Sequence, residues 1–395
     1  MKKDLLFIIP SLGIGGGEKS LINLLEQIDY KQYNVDLFVL YRQGLFLEFI
    51  PNEVNIIQDP PYLKVFQLPL FESIITFLRL HQFSLIYHRI MFFMKNRIKG
   101  TISKGEQYSW RHLKKTIGSL DKSYDVAIGY LEKTSNYICV DCVNATKKIG
   151  WIHTDYRKLD ADKKFDEKYL FHLDYIVTVS DECAEVLKND FYQLSNRVKV
   201  INNIVSAKII KKMSVEKLDI TKEKGEIRII SVGRLSHEKG FDMAIKACRI
   251  LKDRGLLIKW MVVGDGSDRK TLEQLIDKYN LNHNFILVGA SSNPYKYIYQ
   301  ADIYVQPSRF EGKSIAIDEA KILCKPMVVT NFSTVNDQVK NGIDGIIADM
   351  NELSLANSIE LLIKDRELYC SIKDNLEKTQ YGNEFEVEKL YKLIG

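Results

Sequence analysis

Two glutamates eight positions apart, Glu311 and Glu319, frame the stretch SRFEGKSIAIDEAK. Polar residues end a strand-like run, ADIYVQPS, and a helix-like run, SIAIDEAKIL, follows. Glu311 therefore falls in the loop before a helix, where Gly312 lets the backbone turn. The N–H groups of Lys313, Ser314 and Ile315 would face the carboxyl end of a sheet, the usual ligand edge of an open α/β fold. If the helix begins near Gly312, Glu311 and Glu319 lie near one face, and a ligand along that helix end meets both. The plainer reading of Glu319 is an exposed helical acid. A second candidate lies in SVGRLSHEKGFD, where Arg234 and Lys239 project from the loop opening the next helix. Arg grips two oxygens and Lys supplies a compact charge, so the two suit a diphosphate. The alternative is surface pairing with Glu238 and Asp242.

The first half of the chain offers SLGIGGGEKS between a strand and a helix, with Gly15, Gly16 and Gly17 in sequence. Such a loop lets backbone N–H groups approach an anion at a helix N-terminus. It is no dinucleotide fingerprint, because Glu18 stands where the third glycine belongs, and it is no Walker loop. A tight turn without a ligand remains open. His153, in GWIHTDY, follows a strand at the same edge. It is either a site histidine or a structural one. Cys139 and Cys142 form a C-x-x-C without a second pair, and two ligands do not close a tetrahedral metal site. Two buried cysteines are expected there, and six cysteines in all build no disulfide framework. The D-x-D at Asp160 to Asp162 is too short to carry a metal assignment.

These residues need elements to hold them. At 395 residues the chain exceeds one compact core, so two domains are expected. DLLFIIP, VDLFVLY, YDVAIGY, KKIGWIH, DYIVTVS and RVKVINN read as short strands, with helical runs such as EKSLINLLEQI and DECAEVLKNDF between some of them. After the lysine-rich stretch 206–226, read as a linker or domain boundary, a second series begins with IRIISVG, IKWMVVGDG, NFILVG, ADIYVQPS, KPMVVTN and DGIIADM. The pattern predicts two doubly wound α/β domains, 1–205 and 206–382. The lysine-led start resembles a signal peptide, but Asp4, Pro10 and the following glycines favour a first strand. No run of eighteen apolar residues predicts a membrane span. A reducing, cytoplasmic setting is expected.

Charge is uneven. Between Arg79 and Lys115 stand nine Lys or Arg and one acid, Glu106, in a chain whose net charge is only +5. Phe, Tyr, Ile and Met interleave with these cations. This mixture suits an anionic membrane surface, with Arg89, Lys95, Arg97 and Lys99 as docking residues. A partly buried helical pair with a basic outer face is the competing reading. No nucleic-acid motif accompanies the charge.

Taken in order, GGGE, WIHTDY, SVGRLSHEKGFD, VVGDG, ADIYVQPSRFEG and the Glu311/Glu319 pair resemble the family 4 retaining glycosyltransferases of the two-Rossmann B-type fold. The resemblance spans essentially the whole chain. It implies an acceptor-side N-terminal domain, a nucleotide-sugar domain, and a last helix, 383–395, that packs back on the first. It implies transfer of a hexose or N-acetylhexosamine from a UDP-sugar to a lipid-linked saccharide or other cell-surface glycan, as in capsule or cell-envelope biosynthesis. It further implies no cofactor and no metal, and a peripheral place on the inner face of the plasma membrane. By that resemblance Arg234 and Lys239 hold the donor diphosphate, Glu311 the sugar hydroxyls and Glu319 the ribose. Gly312, Lys313, Ser314 and Ile315 meet the phosphates, closed upon by Gly15, Gly16 and Gly17. Val288 lies by the base and His153 by the transferred sugar. The chain departs from the family at Lys313 and Ser314, where an apolar residue and then Pro or Gly are usual. Rival readings are a UDP-sugar epimerase or a phosphorylase of the same fold, and a non-catalytic nucleotide-sugar-binding protein.

Overall fold

A computed structural model describes residues 2–13, 15–98, 102–218, 222–311 and 314–395. The chain divides into two compact units, Met1–Ile204 with Glu384–Gly395, and Val205–Asn383.

The first unit is built on seven parallel strands, β1 (Lys3–Ile9), β2 (Tyr33–Val39), β3 (Val54–Ile56), β4 (Ser123–Gly129), β5 (Asn144–Ile152), β6 (Tyr175–Thr178) and β7 (Val198–Val200). Their order is β3-β2-β1-β4-β5-β6-β7. Leu5 of β1 pairs with Val35 on one side and Val126 on the other. A parallel sheet is covered on both faces, so β1 is apolar and solvent-free throughout Leu5–Ile9. Alternate residues feed opposite layers: Leu6 and Ile8 join Phe38, Trp110 and Tyr137, while Leu5, Phe7 and Ile9 join Leu21, Leu25 and Trp151. The helix Val387–Ile394 completes the second of these layers through Val387, Leu390 and Ile394.

The second unit repeats the plan with β8 (Ile227–Val232), β9 (Ile258–Val263), β10 (Phe285–Gly289), β11 (Ile303–Gln306), β12 (Met327–Thr330) and β13 (Ile346–Ala348). The order β10-β9-β8-β11-β12-β13 reverses direction between β8 and β11. In open α/β sheets that reversal opens a crevice at the carboxyl ends of the strands. The stretch expected as a linker or domain boundary lies at the division between the units and begins with a helix, Ala207–Ser214, capped by the Ser206 hydroxyl and anchored by buried Ile210. Its short apolar stripe, Ile210 with Met213, was masked in the sequence by the surrounding lysines.

The basic segment folds as the helices Leu70–Arg79, Phe83–Ile98 and Ile102–Ile117. Arg89 does not serve as an exposed docking residue. It is buried, donates to the Leu68 carbonyl at 3.0 Å and lies over the Phe66 ring. Helical spacing turned it inward, with its charge met by a carbonyl and an aromatic face. Lys95 is half-buried and Arg97 is exposed. Lys99 lies outside the described residues. No helix among the described residues is long and apolar enough to cross a membrane.

Candidate active site

In the second unit the candidates gather at the β8–β11 reversal. The chain leaves β8 through Gly233 and exposed Arg234, then makes the short turn His237–Lys239. Gly240 follows with φ +66°, and a Cβ there would stand 2.0 Å from the Pro307 carbonyl oxygen. Only glycine permits this approach of the β8 loop to the β11 loop. It brings the Lys239 ammonium 2.7 Å from each carboxylate oxygen of Glu311. Glu311 is buried, and it also accepts from Ser308 at 2.6 Å and from the Gln306 amide at 2.9 Å. Tyr304 in turn donates to Gln306. A carboxylate this well satisfied is fixed in position before any ligand arrives.

The helix bearing Glu319 is Ile315–Ile322, so Glu311 precedes it by a full turn and the shared-face expectation does not hold. Each acid has its own support. Glu319 is buried, not exposed, and accepts from the Tyr295 hydroxyl at 3.2 Å. Burial and this carboxylate hold the Tyr295 phenol well above its ordinary range. Gly312 and Lys313 lie outside the described residues. Ser314 is clamped by Gln338, whose amide accepts from the Ser314 N–H at 2.7 Å and donates to its carbonyl at 3.0 Å. Thr334 donates to the Glu311 carbonyl at 3.0 Å. Behind the clamp, buried Lys321 meets Asp344 at 2.7 Å and also donates to the Gln338 carbonyl. Ile315 begins the helix, and Val288 sits half-buried on β10. Asp242, an alternative partner for Lys239, is instead held by both outer nitrogens of Arg309 at 2.7 Å.

In the first unit the candidates also follow a strand reversal, here between β1 and β4. Gly15 caps the helix Gly16–Leu25. Gly17 faces the Leu131 side chain and the His153 ring, and a Cβ would stand 2.7 Å from the former and 3.6 Å from the latter. The Glu18 carboxylate folds back over Gly15. Burial raises its pKa, and the Glu132 charge adds to the effect. Glu132 accepts from the His153 backbone N–H at 3.0 Å and from the Thr154 hydroxyl at 2.9 Å, fixing the turn that presents the imidazole. The His153 ring packs against Tyr130 and lies parallel to Trp151. Asn203 and the Tyr130 backbone lie beside it, yet neither ring nitrogen meets a partner in bonding geometry among the described residues. Burial lowers its pKa to about 4, against the opposing pull of Glu132. At neutral pH His153 is therefore an uncharged ring offering one donor and one acceptor.

Other motifs resolve structurally. Cys139 and Cys142 are buried, and burial pushes both thiols up to about 12. Asp162 caps the helix Lys163–Leu170. Among the described residues no three His, Cys, Asp or Glu stand together as a metal site.

Several supporting residues escaped the sequence reading. Gln306 and Ser308 carried a signal, since they are polar positions closing an apolar strand at its ligand edge. Gln338 carried none, because it reaches Ser314 across 24 residues. Glu132 was equally hidden, 21 residues from His153.

Residues 214–379 match the family model of glycosyl transferases group 1, and this span contains Arg234, Lys239, Glu311 and Glu319. An uncharacterized glycosyltransferase of Methanocaldococcus jannaschii is 25% identical over 63% of this chain and 71% of its own length. The N-acetylgalactosamine-N,N'-diacetylbacillosaminyl-diphospho-undecaprenol 4-alpha-N-acetylgalactosaminyltransferase of Campylobacter jejuni is 26% identical over 52% of this chain. That match spans only 55% of the Campylobacter protein. Anabaena HepE in complex with UDP shares the fold, with a TM-score of 0.60 and 17% identity, covering 100% of this chain and 99% of that one. The architecture is the B-type glycosyltransferase fold, two Rossmann-like units with parallel sheets. Together the matches support a glycosyltransferase related to group 1.

Proposed function

We propose that the protein transfers a hexose or N-acetylhexosamine from a UDP-sugar to a lipid-linked saccharide or other cell-surface glycan, with retention at the anomeric carbon. The observation carrying this reading is the ion pair of buried Glu311 with half-buried Lys239, at the sheet reversal inside the group 1 match. A departing nucleoside diphosphate needs cations that are in place before the bond breaks. Arg234 and Lys239 are suited to that task, together with backbone N–H groups at the start of the helix Ile315–Ile322. Glu311, held by Ser308 and Gln306, is suited to accept sugar hydroxyls, and Glu319 to accept from the ribose. In this reading the bond from the anomeric carbon to the diphosphate oxygen breaks and a bond to the acceptor oxygen forms. The acceptor proton passes to the leaving diphosphate. These charges are supplied by the protein, and the reading calls for no metal and no cofactor.

The UDP bound to HepE and the diphospho-undecaprenol acceptor in the name of the Campylobacter relative favour this donor and acceptor class. The basic helices of the first unit favour a peripheral position on an anionic membrane at the cytoplasmic side. The test is a panel of UDP- and GDP-sugars incubated with the protein, following release of nucleoside diphosphate. Slow hydrolysis of one UDP-sugar, abolished by Glu311→Ala, is expected. Failure to bind UDP in calorimetric titration would overturn the proposal.

A further inference from the structure

The helix Ile315–Ile322 buries a charge that no step of the proposed transfer uses. Lys321 is 5% exposed, on a helix whose Ile317, Ala320 and Ile322 join the core. Its ammonium meets Asp344 at 2.7 Å, donates to the Gln338 carbonyl and lies 5.3 Å from the centre of the Tyr381 ring. Asp344 is also buried, and its other oxygen accepts from the Lys340 N–H at 2.7 Å. A buried ion pair of this kind adds little stability over apolar residues of similar volume. What an apolar residue does not supply is a grip on a main-chain carbonyl.

That carbonyl belongs to a segment with little regular structure. Between β12 and β13 the chain makes the short turn Val335–Asp337, anchored by buried Val335 and Val339. Gln338 in this segment spans one face of the helix. Its side-chain amide accepts from the Ser314 N–H at 2.7 Å, donates to the Ser314 carbonyl at 3.0 Å and donates to Asp318 at 3.2 Å. Its own carbonyl accepts from Lys321. Ser314, Asp318 and Lys321 are spaced by four and three residues, so they lie on one stripe at about 100° per residue. Glu319 falls about 140° from Ser314 around the helix, and it accepts from Tyr295 instead. Gln338 thus touches the helix before its start, in its first turn and in its last.

The consequence falls on the donor edge. The Ser314 N–H is engaged by Gln338, and no side chain caps the helix among the described residues. The N–H groups of Ile315, Ala316 and Ile317 are then the ones that the helix start offers an anion. Their position follows that of Ser314. The position of Ser314 follows the register of the segment that Lys321 holds.

We propose that Lys321 is a positioning residue for the nucleoside diphosphate. Through the Gln338 carbonyl it fixes the segment after β12, and through the Gln338 amide that segment fixes the helix start that meets the diphosphate. Asp344 balances the ammonium, and the bond from Lys321 to Gln338 transmits the position. The role rests on the donor reading above, whereas the clamp exists without a ligand.

The test joins amide exchange at Ser314 to calorimetric titration with UDP and to urea unfolding. In the free wild type the Ser314 N–H should exchange slowly, as a buried bonded group does. Fast exchange there would overturn the clamp. Lys321→Met with Asp344→Leu removes both charges at once, so its unfolding midpoint should lie above that of Asp344→Ala. Ser314 should nevertheless exchange faster in it, and UDP should bind about tenfold more weakly, since the ligand must now order what Gln338 held. Asp344→Asn should do the reverse. It lowers the midpoint but keeps the bond from Lys321 to the Gln338 carbonyl, so Ser314 exchange and UDP affinity stay near those of the wild type. UDP affinity that follows the midpoint across these variants would overturn the positioning role and leave Lys321 a stabilising residue alone. So would unchanged affinity in the double variant. A wild type that binds no UDP would overturn the donor reading and this role with it, while slow exchange at Ser314 would still report the clamp.

Discussion

The Lys239 ammonium lies 2.7 Å from both oxygens of the Glu311 carboxylate, although 72 residues separate them. The bond crosses the place where the second sheet reverses its strand order, so one ion pair joins the loops after β8 and β11. In the free protein the cation is already aimed at the crevice, and its charge is balanced until a stronger anion arrives.

Replacing Lys239 by Met should therefore cost transfer about 100-fold, the usual effect of removing one preorganised charge donor, or about 3 kcal/mol. Glu311→Gln should lower turnover comparably, since the amide leaves Lys239 without its counter-charge. The double variant should lose less than the product of the two, because both act on one unit. Steady-state release of nucleoside diphosphate checks this.

Gln338→Ala should raise the KM for donor while leaving turnover closer to wild type. It removes the amide that fastens both backbone groups of Ser314, so that residue must be positioned by the donor itself. A variant that changes turnover alone would argue against the clamp.

How much of this was legible beforehand differs between residues. Lys239 and Glu311 were visible because each sits just past an apolar strand, where a ligand edge is expected. Glu319 was legible as a residue but not in its setting, since the helix starts at Ile315 and the acid is buried against Tyr295. Arg89 was misread because charge counted along the chain ignores which face of a helix a residue occupies. Gln338 and Glu132 were illegible, as their partners are brought near only by tertiary folding.

Breaking the Lys321–Asp344 pair by Asp344→Ala should destabilise the second unit by about 3–5 kcal/mol, because the ammonium stays buried without its counter-charge. Its measurable consequence is a lowered midpoint in urea. Replacing Asp344 and Lys321 together by apolar residues should recover part of the loss.

Acid should weaken the first unit. Burial lowers both His153 and His112 to about 4, so each is neutral in the folded protein where the unfolded chain, near 6.5, takes up a proton. Their contribution is fully present above pH 6.5 and is lost as pH falls toward 4, since the unfolded state then binds more protons. Denaturant midpoints measured across that window should slope downward toward acid. His153→Gln and His112→Gln should each flatten part of the slope, and an unchanged slope in both would contradict the assignment.

Gly240→Ala should destabilise the protein and disorder the Glu311 loop together. The added Cβ meets the Pro307 carbonyl in a left-handed backbone conformation that alanine resists. Amide exchange at Arg309 and Phe310, which both donate to the Glu238 carbonyl, would read the change directly.

The helix Val387–Ile394 gives the chain an order of events during synthesis. Its Tyr391 stacks on Tyr33 and its hydroxyl accepts from the Asp29 N–H, more than 350 positions away. A ribosome that has finished Ile204 has made every strand of the first sheet but not the helix that covers part of it. Leu24, Leu25 and Val35 share a core layer with Leu390 and Ile394, and that layer stays incomplete while the whole second unit is being made. The nascent first unit thus carries an open apolar seam while residues 205–383 are being made, a period in which a chaperone or a neighbouring chain can reach it.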